Sequence, residues 1–416
     1  MAFLSDTNTL PNPKRIAIGY SWKVDRVLIA WAAMRCIVVI LLILGFPALE
    51  SHDGFYFHHG GDQDYYFEYG RVLAYGNYDR YFAVNLGQPA IMAIAIRIFN
   101  PVSFSEILPL LVIVNGFLFG GMSVIVVGRL AHLLSGSARS GYLAAGLWAV
   151  MPWVMWMGFS PHPNREALQA PYVPGIAWLQ GIPDGPAVFF ALLALYLLVR
   201  WLDVKKLSWL ILSGTALGVM LLFRFQMVFI LALAIMIMLL ERRIRSSIGL
   251  AVVVALAYLP QVIYNRVSST LSGIPNVISW LPGYLYSGFM DPVSNEIYWK
   301  NPDLNVLLFV PGCSGCNNPE VQWLTTPLVW IIGAGVLLGV TICGVPAIFR
   351  RLGSGRTMIV LVAPLAAIGG PMLSPIFMEN VYRFSMPALP FLTILSGVCG
   401  DLLWGSVQKW WSEVSD

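Results

Sequence analysis

The sequence predicts an all-α polytopic membrane protein, and composition is the first observation behind this prediction. Of the 416 residues, 58% are hydrophobic and only 11% are charged; the mean hydropathy is +0.72. Soluble domains contain roughly 45–50% apolar residues. The apolar residues also form repeated runs long enough to cross a hydrocarbon core of about 30 Å. Lysine and arginine concentrate in alternate connections, as the positive-inside rule predicts. No large soluble domain is expected.

About ten transmembrane helices are predicted, each from an apolar run of spanning length. The runs cover residues 27–48, 104–128, 140–158, 186–202, 207–223, 226–240, 247–264, 326–348, 357–376 and 384–405. The domain organisation is a cytoplasmic segment 1–26, a transmembrane domain 27–405 and a cytoplasmic tail 406–416.

Loop charge predicts the orientation. The segment 1–26 carries four cations and no small-residue cleavage site, which indicates a cytoplasmic lead into a retained helix. Most of the other lysines and arginines then also fall on the inside, provided that 207–240 crosses twice. One long helix over 207–240 is the alternative, and it would invert everything downstream. With two crossings, both termini are cytoplasmic.

The predicted outer loops are long, covering 49–103, 159–185 and 265–325, whereas the cytoplasmic connections are short. In the first outer loop, 64–76 is predicted as a short helix. Residues 89–99 form an apolar stretch too short to span the membrane. It is therefore expected to be an interfacial or re-entrant helix.

Several classes of partner are not indicated. The net charge of +4 comes without a polybasic tract, so no nucleic acid is expected. There is no internal repeat and no nucleotide-binding glycine pattern, and no cofactor is predicted. His58 and His59 are metal-ligand residue types, but adjacent histidines rarely bind one ion in an extended loop, so no metal is predicted. Cys313 and Cys316 share a predicted outer loop, where a local disulfide is favoured.

Candidate chemistry begins at a glycine-led cluster of acids after the first span. Asp62 and Asp64 point to opposite faces if this loop is extended. If a helix begins at Asp64, that residue is an N-cap, and Asp62 is left for chemistry. Glu68 is expected on the surface. The alternative is that Asp62 and Asp64 are both solvated loop acids.

Asp184 directly precedes a predicted span, where an acid stabilises a helix N-terminus. Helix capping by itself explains the presence of this acid. Its predicted location on the outer side leaves open a role in a functional site. Arg165, Arg224 and Arg383 are outer-side arginines against the positive-inside bias. A guanidinium can donate two parallel hydrogen bonds to a lipid phosphate; headgroup anchoring is the alternative.

Four segments resemble the GT-C superfamily of membrane glycosyltransferases, among them protein mannosyltransferases and aminoarabinose transferases. In the first, Asp62, Tyr66, Gly70 and Gly76 fall in the register of that superfamily's first outer loop, and Gln88-Pro89 then resembles its proline-led interfacial helix. The other three are Pro183–Pro186 before a span, Arg224 between two spans, and Tyr382-Arg383 at the head of the last span. The acid is followed by Gln63 rather than by a second acid.

The resemblance implies transfer of a sugar from a polyprenyl-phosphate donor to a lipid, glycan or protein acceptor. Asp62 would be the general base, and Arg224 and Arg383 would stabilise the departing phosphate. Asp184, Asp64, Tyr66 and Arg165 are the other expected substrate-binding residues. Membrane lipids are the expected surroundings, and the expected location is a bacterial inner membrane with the site facing the periplasm or exterior.

Two rivals remain. A transporter or flippase of a lipid-linked glycan would carry polar residues and broken helices in the middle of its spans. The predicted spans have almost no charged residues along their middle apart from Arg35, which is expected close to one end, and this favours an enzyme. A non-catalytic membrane subunit could share the fold, because fold does not settle activity.

Overall fold

The computed structural model describes residues 25–45, 62–76, 85–158, 181–272, 342, 344–373 and 386–415. Within these ranges the regular structure is helical. The helices are α1 (Arg26–Gly45), α2 (Asp62–Tyr75), α3 (Gly87–Phe99), α4 (Phe104–Val112), α5 (Gly120–Ser135), α6 (Ala138–Gly158), α7 (Asp184–Val204), α8 (Leu207–Phe223), α9 (Val228–Leu240), α10 (Ile244–Ser272), α11 (Ser354–Leu373) and α12 (Leu389–Ser415).

The all-α class is confirmed, and the helices follow the predicted apolar runs closely. Four helical stretches are long and apolar enough to cross a membrane by length and composition. They are Phe104–Ser135, Asp184–Val204, Ile244–Ser268 and Leu389–Val414. The predicted span 326–348 lies mainly outside the described residues, as do Cys313 and Cys316. The number of spans therefore stays a prediction.

Residues 207–240 turn back on themselves, as predicted. Helix α8 ends at Phe223, Arg224 is extended (φ −151°, ψ 97°), and α9 begins at Val228 after one 3₁₀ turn. The charge of Arg243, just after α9, helps to lower the pKa of Lys205, just before α8, although burial is the larger cause. The far end of α9 thus lies beside the start of α8, which makes the two helices antiparallel.

Close glycine contacts fix the directions of two further helices. Ideal Cβ atoms on Gly214 and Gly218 of α8 would lie 2.8 and 2.4 Å from side-chain atoms of Val253 and Ala257 respectively. The residue numbers rise together, so α8 and α10 run parallel. A Cβ on Gly370 of α11 would lie only 1.6 Å from the carbonyl oxygen of Gln226. The end of α11 therefore packs directly against the break between α8 and α9.

The helix directions divide the helix ends into two groups, one at each end of the bundle. What we call the outer end holds the starts of α2, α3, α7, α9 and α12 and the ends of α8, α10 and α11. The inner end holds the turns α5–α6, α7–α8 and α9–α10. One large apolar core runs between the two ends, and α7 lies deeply inside it.

Two sequence expectations are wrong in detail. Helix α2 begins at Asp62, so Asp64 lies inside the first turn with an exposed side chain and is not the N-cap. The backbone of Asp62 and Gln63 is helical and not extended. Arg35 lies halfway along α1, because the helix spans 26–45, and its side chain is 1% exposed. It is therefore not close to an end of the span.

Candidate active site

The centre of the outer end is a buried ion pair that the sequence did not reveal. Asp184 is the first residue of α7, and its carboxylate accepts a hydrogen bond from Nη1 of Arg224 at the end of α8. The side chains of Asp184 and Arg224 are 2% and 3% exposed. The N-cap position belongs to Pro183, so Asp184 is a first-turn acid stabilised by the helix dipole. Arg224 is not a surface headgroup anchor.

An aromatic cluster lies below this pair. Phe190 stacks on Phe223 with ring centroids 5.8 Å apart and an interplanar angle of 12°, and Phe119 packs against Phe189, Phe190 and Phe223. Phe223 directly precedes Arg224, and Phe190 lies on the same helix as Asp184. Electrostatic interactions at such a site are stronger than in bulk water.

Helix α2 is tied to the start of α7 by Gln63. The Gln63 side chain is 2% exposed, and its Oε1 accepts a hydrogen bond from the Gly181 N–H at 2.9 Å. Gly181 precedes Asp184 by three residues, and Gln63 follows Asp62 directly. This bond therefore brings the backbone of Asp62 to the segment that carries the ion pair. The side chain of Asp62 lies outside the described part of the structure.

The two glycines that carry the sequence resemblance in α2 have structural roles. Gly70 lies where α2 crosses α3, and an added Cβ would be 2.7 Å from Met92 Cβ. Gly76 closes α2 with φ of 82°, a conformation that favours glycine. Tyr66 packs partly buried against the core. Burial, and secondly Tyr65, raises the pKa of the Tyr69 phenol, which favours its protonated form.

A set of amides joins the start of α3 to the same break. Asn85 Nδ2 donates to the carbonyl oxygen of Phe223 at 2.9 Å, which satisfies a carbonyl at the end of α8. The Leu86 N–H donates to Gln261 Oε1 at 2.7 Å, and Gln261 Nε2 donates to Asn265 Oδ1 at 2.9 Å. These bonds attach residues 85 and 86, which directly precede α3, to α8 and α10.

Sequence reasoning missed Gln63, Asn85, Gln261 and Asn265. A signal existed for the last two of these residues, because Gln261 is a polar residue within the predicted span 247–264 and Asn265 follows it one helical turn later. Of the predicted site residues, the structure brings Asp184 and Arg224 into contact and attaches the Asp62 segment beside them. Asp64 is exposed, as is Glu68, which contacts Arg71 at 3.5 Å. Arg165 and Arg383 lie outside the described residues.

No group of three His, Cys, Asp or Glu with metal-binding geometry occurs within the described ranges. What the site offers chemically is one buried guanidinium oriented by a carboxylate, several amide donors and acceptors, and an acid-led helix attached at their edge. Such a set suits an anionic, polar substrate group at a membrane face.

One protein-family model matches part of the chain. Residues 167–264 match the family described as dolichyl-phosphate-mannose-protein mannosyltransferase, a range that contains both Asp184 and Arg224. A search of curated proteins gives no significant match.

Two solved structures of the Archaeoglobus fulgidus oligosaccharyltransferase resemble the fold. The apo form has 15% identity, and the complex of AglB with an inhibitory peptide and a dolichol-phosphate has 14%. For each, the TM-score is 0.54, and the match covers 94% of this chain and 52% of the other. The chain thus spans about half the length of these proteins. It shares the fold of these two structures over 94% of its length.

Proposed function

We propose that the chain is a membrane glycosyltransferase that uses a polyprenyl-phosphate-linked sugar as donor. The acceptor is a hydroxyl of a lipid, glycan or protein at the non-cytoplasmic face, and Asp62 is the general base. The observation that carries the proposal is the Gln63–Gly181 hydrogen bond, because it joins the Asp62 segment to the buried Asp184–Arg224 pair. The family match over 167–264 and the dolichol-phosphate in the AglB complex support the donor class.

In the proposed reaction, Asp62 removes the proton of the acceptor hydroxyl as its oxygen attacks the anomeric carbon. The bond between that carbon and the donor phosphate oxygen breaks, and the polyprenyl phosphate leaves with its negative charge. Arg224, held by Asp184, and Arg383 stabilise that charge. Tyr66, Asp64 and Arg165 contribute to substrate binding. The pairing with Asp184 gives Arg224 one fixed orientation, so little reorganisation is needed during the reaction.

The test measures sugar transfer by the purified full chain from labelled polyprenyl-phosphate hexoses and pentoses to an extract of envelope lipids and glycans. Asp62→Asn removes the base without changing side-chain size. The rate should fall by about 10²–10⁴-fold, the usual contribution of a general base. Glu68→Gln is the matched control on the same helix, and its rate should equal that of the wild type. Transfer by Asp62→Asn at the wild-type rate would exclude Asp62 as the base.

A transporter of the same lipid-linked sugar is the second candidate, and Arg35 favours it. The Arg35 guanidinium lies in the middle of the bundle, where its Nη1 donates to the Trp148 carbonyl oxygen at 2.8 Å and its Cζ lies 4.5 Å from the Trp148 ring centroid. A π-helical section, Ile113–Phe119, interrupts the helix beside it. In proteoliposomes, a transporter would move the labelled donor intact across the bilayer, whereas the glycosyltransferase would cleave the sugar from the phosphate.

A further inference from the structure

Helix α12 continues past the level at which the inner end of the bundle lies. The Asp401 carboxylate accepts a hydrogen bond from Ser140 Oγ at 3.0 Å, and its Oδ1 lies 3.9 Å from Arg139 Nε. Both partners belong to the first turn of α6, which begins at the inner end. Asp401 therefore lies at that level. Helix α12 runs on to Ser415, roughly 20 Å further at a rise of about 1.5 Å per residue.

This part of α12 exposes large apolar side chains. From residue 404 onward each of them is 51–68% exposed, and they are Trp404, Val407, Trp410, Trp411 and Val414. The polar residues Ser406, Gln408, Ser412 and Glu413 are exposed as well. Trp404 still lies beside the start of α6, with 5.9 Å between its ring centroid and Arg139 Cζ. The bundle therefore leaves both faces of α12 exposed from about one turn beyond Asp401.

The apolar and polar residues of this segment lie on different sides of the helix. An α-helix turns about 100° per residue, so the five apolar positions fall within an arc of about 120°, and the four polar positions fall outside it. A coiled-coil seam is narrower, because it uses only the a and d positions of each heptad. An apolar face of this width is typical of a helix that packs on a broad apolar surface.

The membrane supplies such a surface next to this face. Helix α12 includes one of the four stretches that are long and apolar enough to cross a membrane, so its inner part emerges at the bilayer surface. Tryptophan is enriched there, because its ring is apolar while its indole N–H stays hydrated. Gly405-Ser406 follows Trp404, and helices bend at Gly/Ser pairs. A Cβ added to Gly405 would meet no atom within 4 Å, so there is space for a bend.

We propose that residues 404–414 form an amphipathic anchor that binds the bilayer surface in the leaflet at the inner end. The three indoles lie at headgroup level, and Ser412 and Glu413 face water. The segment contains one lysine, Lys409, and one glutamate, so burial of apolar area supplies the binding free energy, without attraction to anionic lipids. A zwitterionic lipid is therefore sufficient. The anchor lies at the opposite end from the Asp184–Arg224 pair and is independent of the proposed sugar transfer.

The experiment is photo-crosslinking of the purified full chain in phosphatidylcholine liposomes that contain a trace of fluorescent phosphatidylcholine. The test variant is Val414→benzoylphenylalanine. The matched control is Ser412→benzoylphenylalanine, two residues away on the polar side. Both positions are exposed, so neither change disturbs the packed core. The Val414 variant should form about tenfold more fluorescent protein than the Ser412 variant, a ratio that corresponds to 1.4 kcal/mol in favour of the proposed orientation.

Two results would overturn the proposal. One is equal labelling of the two variants by lipid, or no lipid adduct at position 414, because the apolar face would then not lie on the bilayer. The other is a covalent dimer at position 414 in place of the lipid adduct. That product would show that a second copy of the chain covers this face.

Discussion

Helix α7 carries an aspartate near each end, and each binds an arginine from another helix. At the outer end, Asp184 pairs with Arg224, and both side chains are almost fully buried, with 2% and 3% exposure. At the inner end, Asp203 pairs with Arg356 at 2.7 Å, with 18% and 21% exposure. Asp184 lies where the helix dipole favours an acid, and Asp203 lies where the dipole opposes one.

The difference shows that an aspartate–arginine pair contributes differently when it is partly exposed and when it is buried. Water and salt reach the inner pair, so it contributes little beyond joining α7 to α11. The outer pair is almost fully buried, so neither charge can be removed alone without leaving the other uncompensated. A guanidinium kept in a fixed orientation is what the proposed phosphate-stabilising role requires.

Breaking the outer pair from one side should have the largest effect. Arg224→Gln leaves the Asp184 carboxylate buried without its partner, so we expect a loss of about 3–5 kcal/mol in unfolding free energy. Equilibrium unfolding in mixed micelles measures this loss. The double variant Asp184→Asn with Arg224→Gln should recover most of it, because no uncompensated charge remains. A loss no larger than that of Arg356→Gln would contradict the difference between the two ends.

The close approach of α11 to the Arg224 break should have the next largest effect. Gly370→Ala adds a Cβ against the Gln226 carbonyl oxygen, so the helix must shift, and overpacking costs about 1–3 kcal/mol. Gly249→Ala near the inner end of α10 is the matched control, since an added Cβ there meets no atom within 4 Å. It should leave stability unchanged or slightly higher. Equal unfolding free energies for the two variants would show that α11 does not brace the break.

Neutralising the inner pair should have the smallest effect. Asp203→Asn is expected to cost about 0.2–1 kcal/mol, and the cost should shrink as ionic strength rises, because salt screens exposed charges. Unfolding measured at low and high salt checks this. A loss as large as that of Arg224→Gln, or one that salt does not change, would mean that the inner pair is also effectively dry.

Most helices could be predicted because each is a long apolar run, and the loop charges correctly predicted that 207–240 reverses direction. The Asp184–Arg224 contact was missed, although α7 and α8 are joined by two residues and have similar lengths. Residues at the two free ends of such a hairpin lie close together. The role of Gln63 was not accessible, because its partner is a backbone N–H that carries no residue signature. The positions of Arg165 and Arg383 stay predictions.

The central claim is that sugar transfer occurs at the outer end, and oriented proteoliposomes test it most directly. A water-soluble short-chain polyprenyl-phosphate sugar is supplied to one face at a time, and labelled product is measured. We predict transfer when the donor reaches the face that carries residue 62, and none when it reaches only the face that carries Lys205 and Arg243. Product formed only with the donor on the Lys205 face would contradict the account.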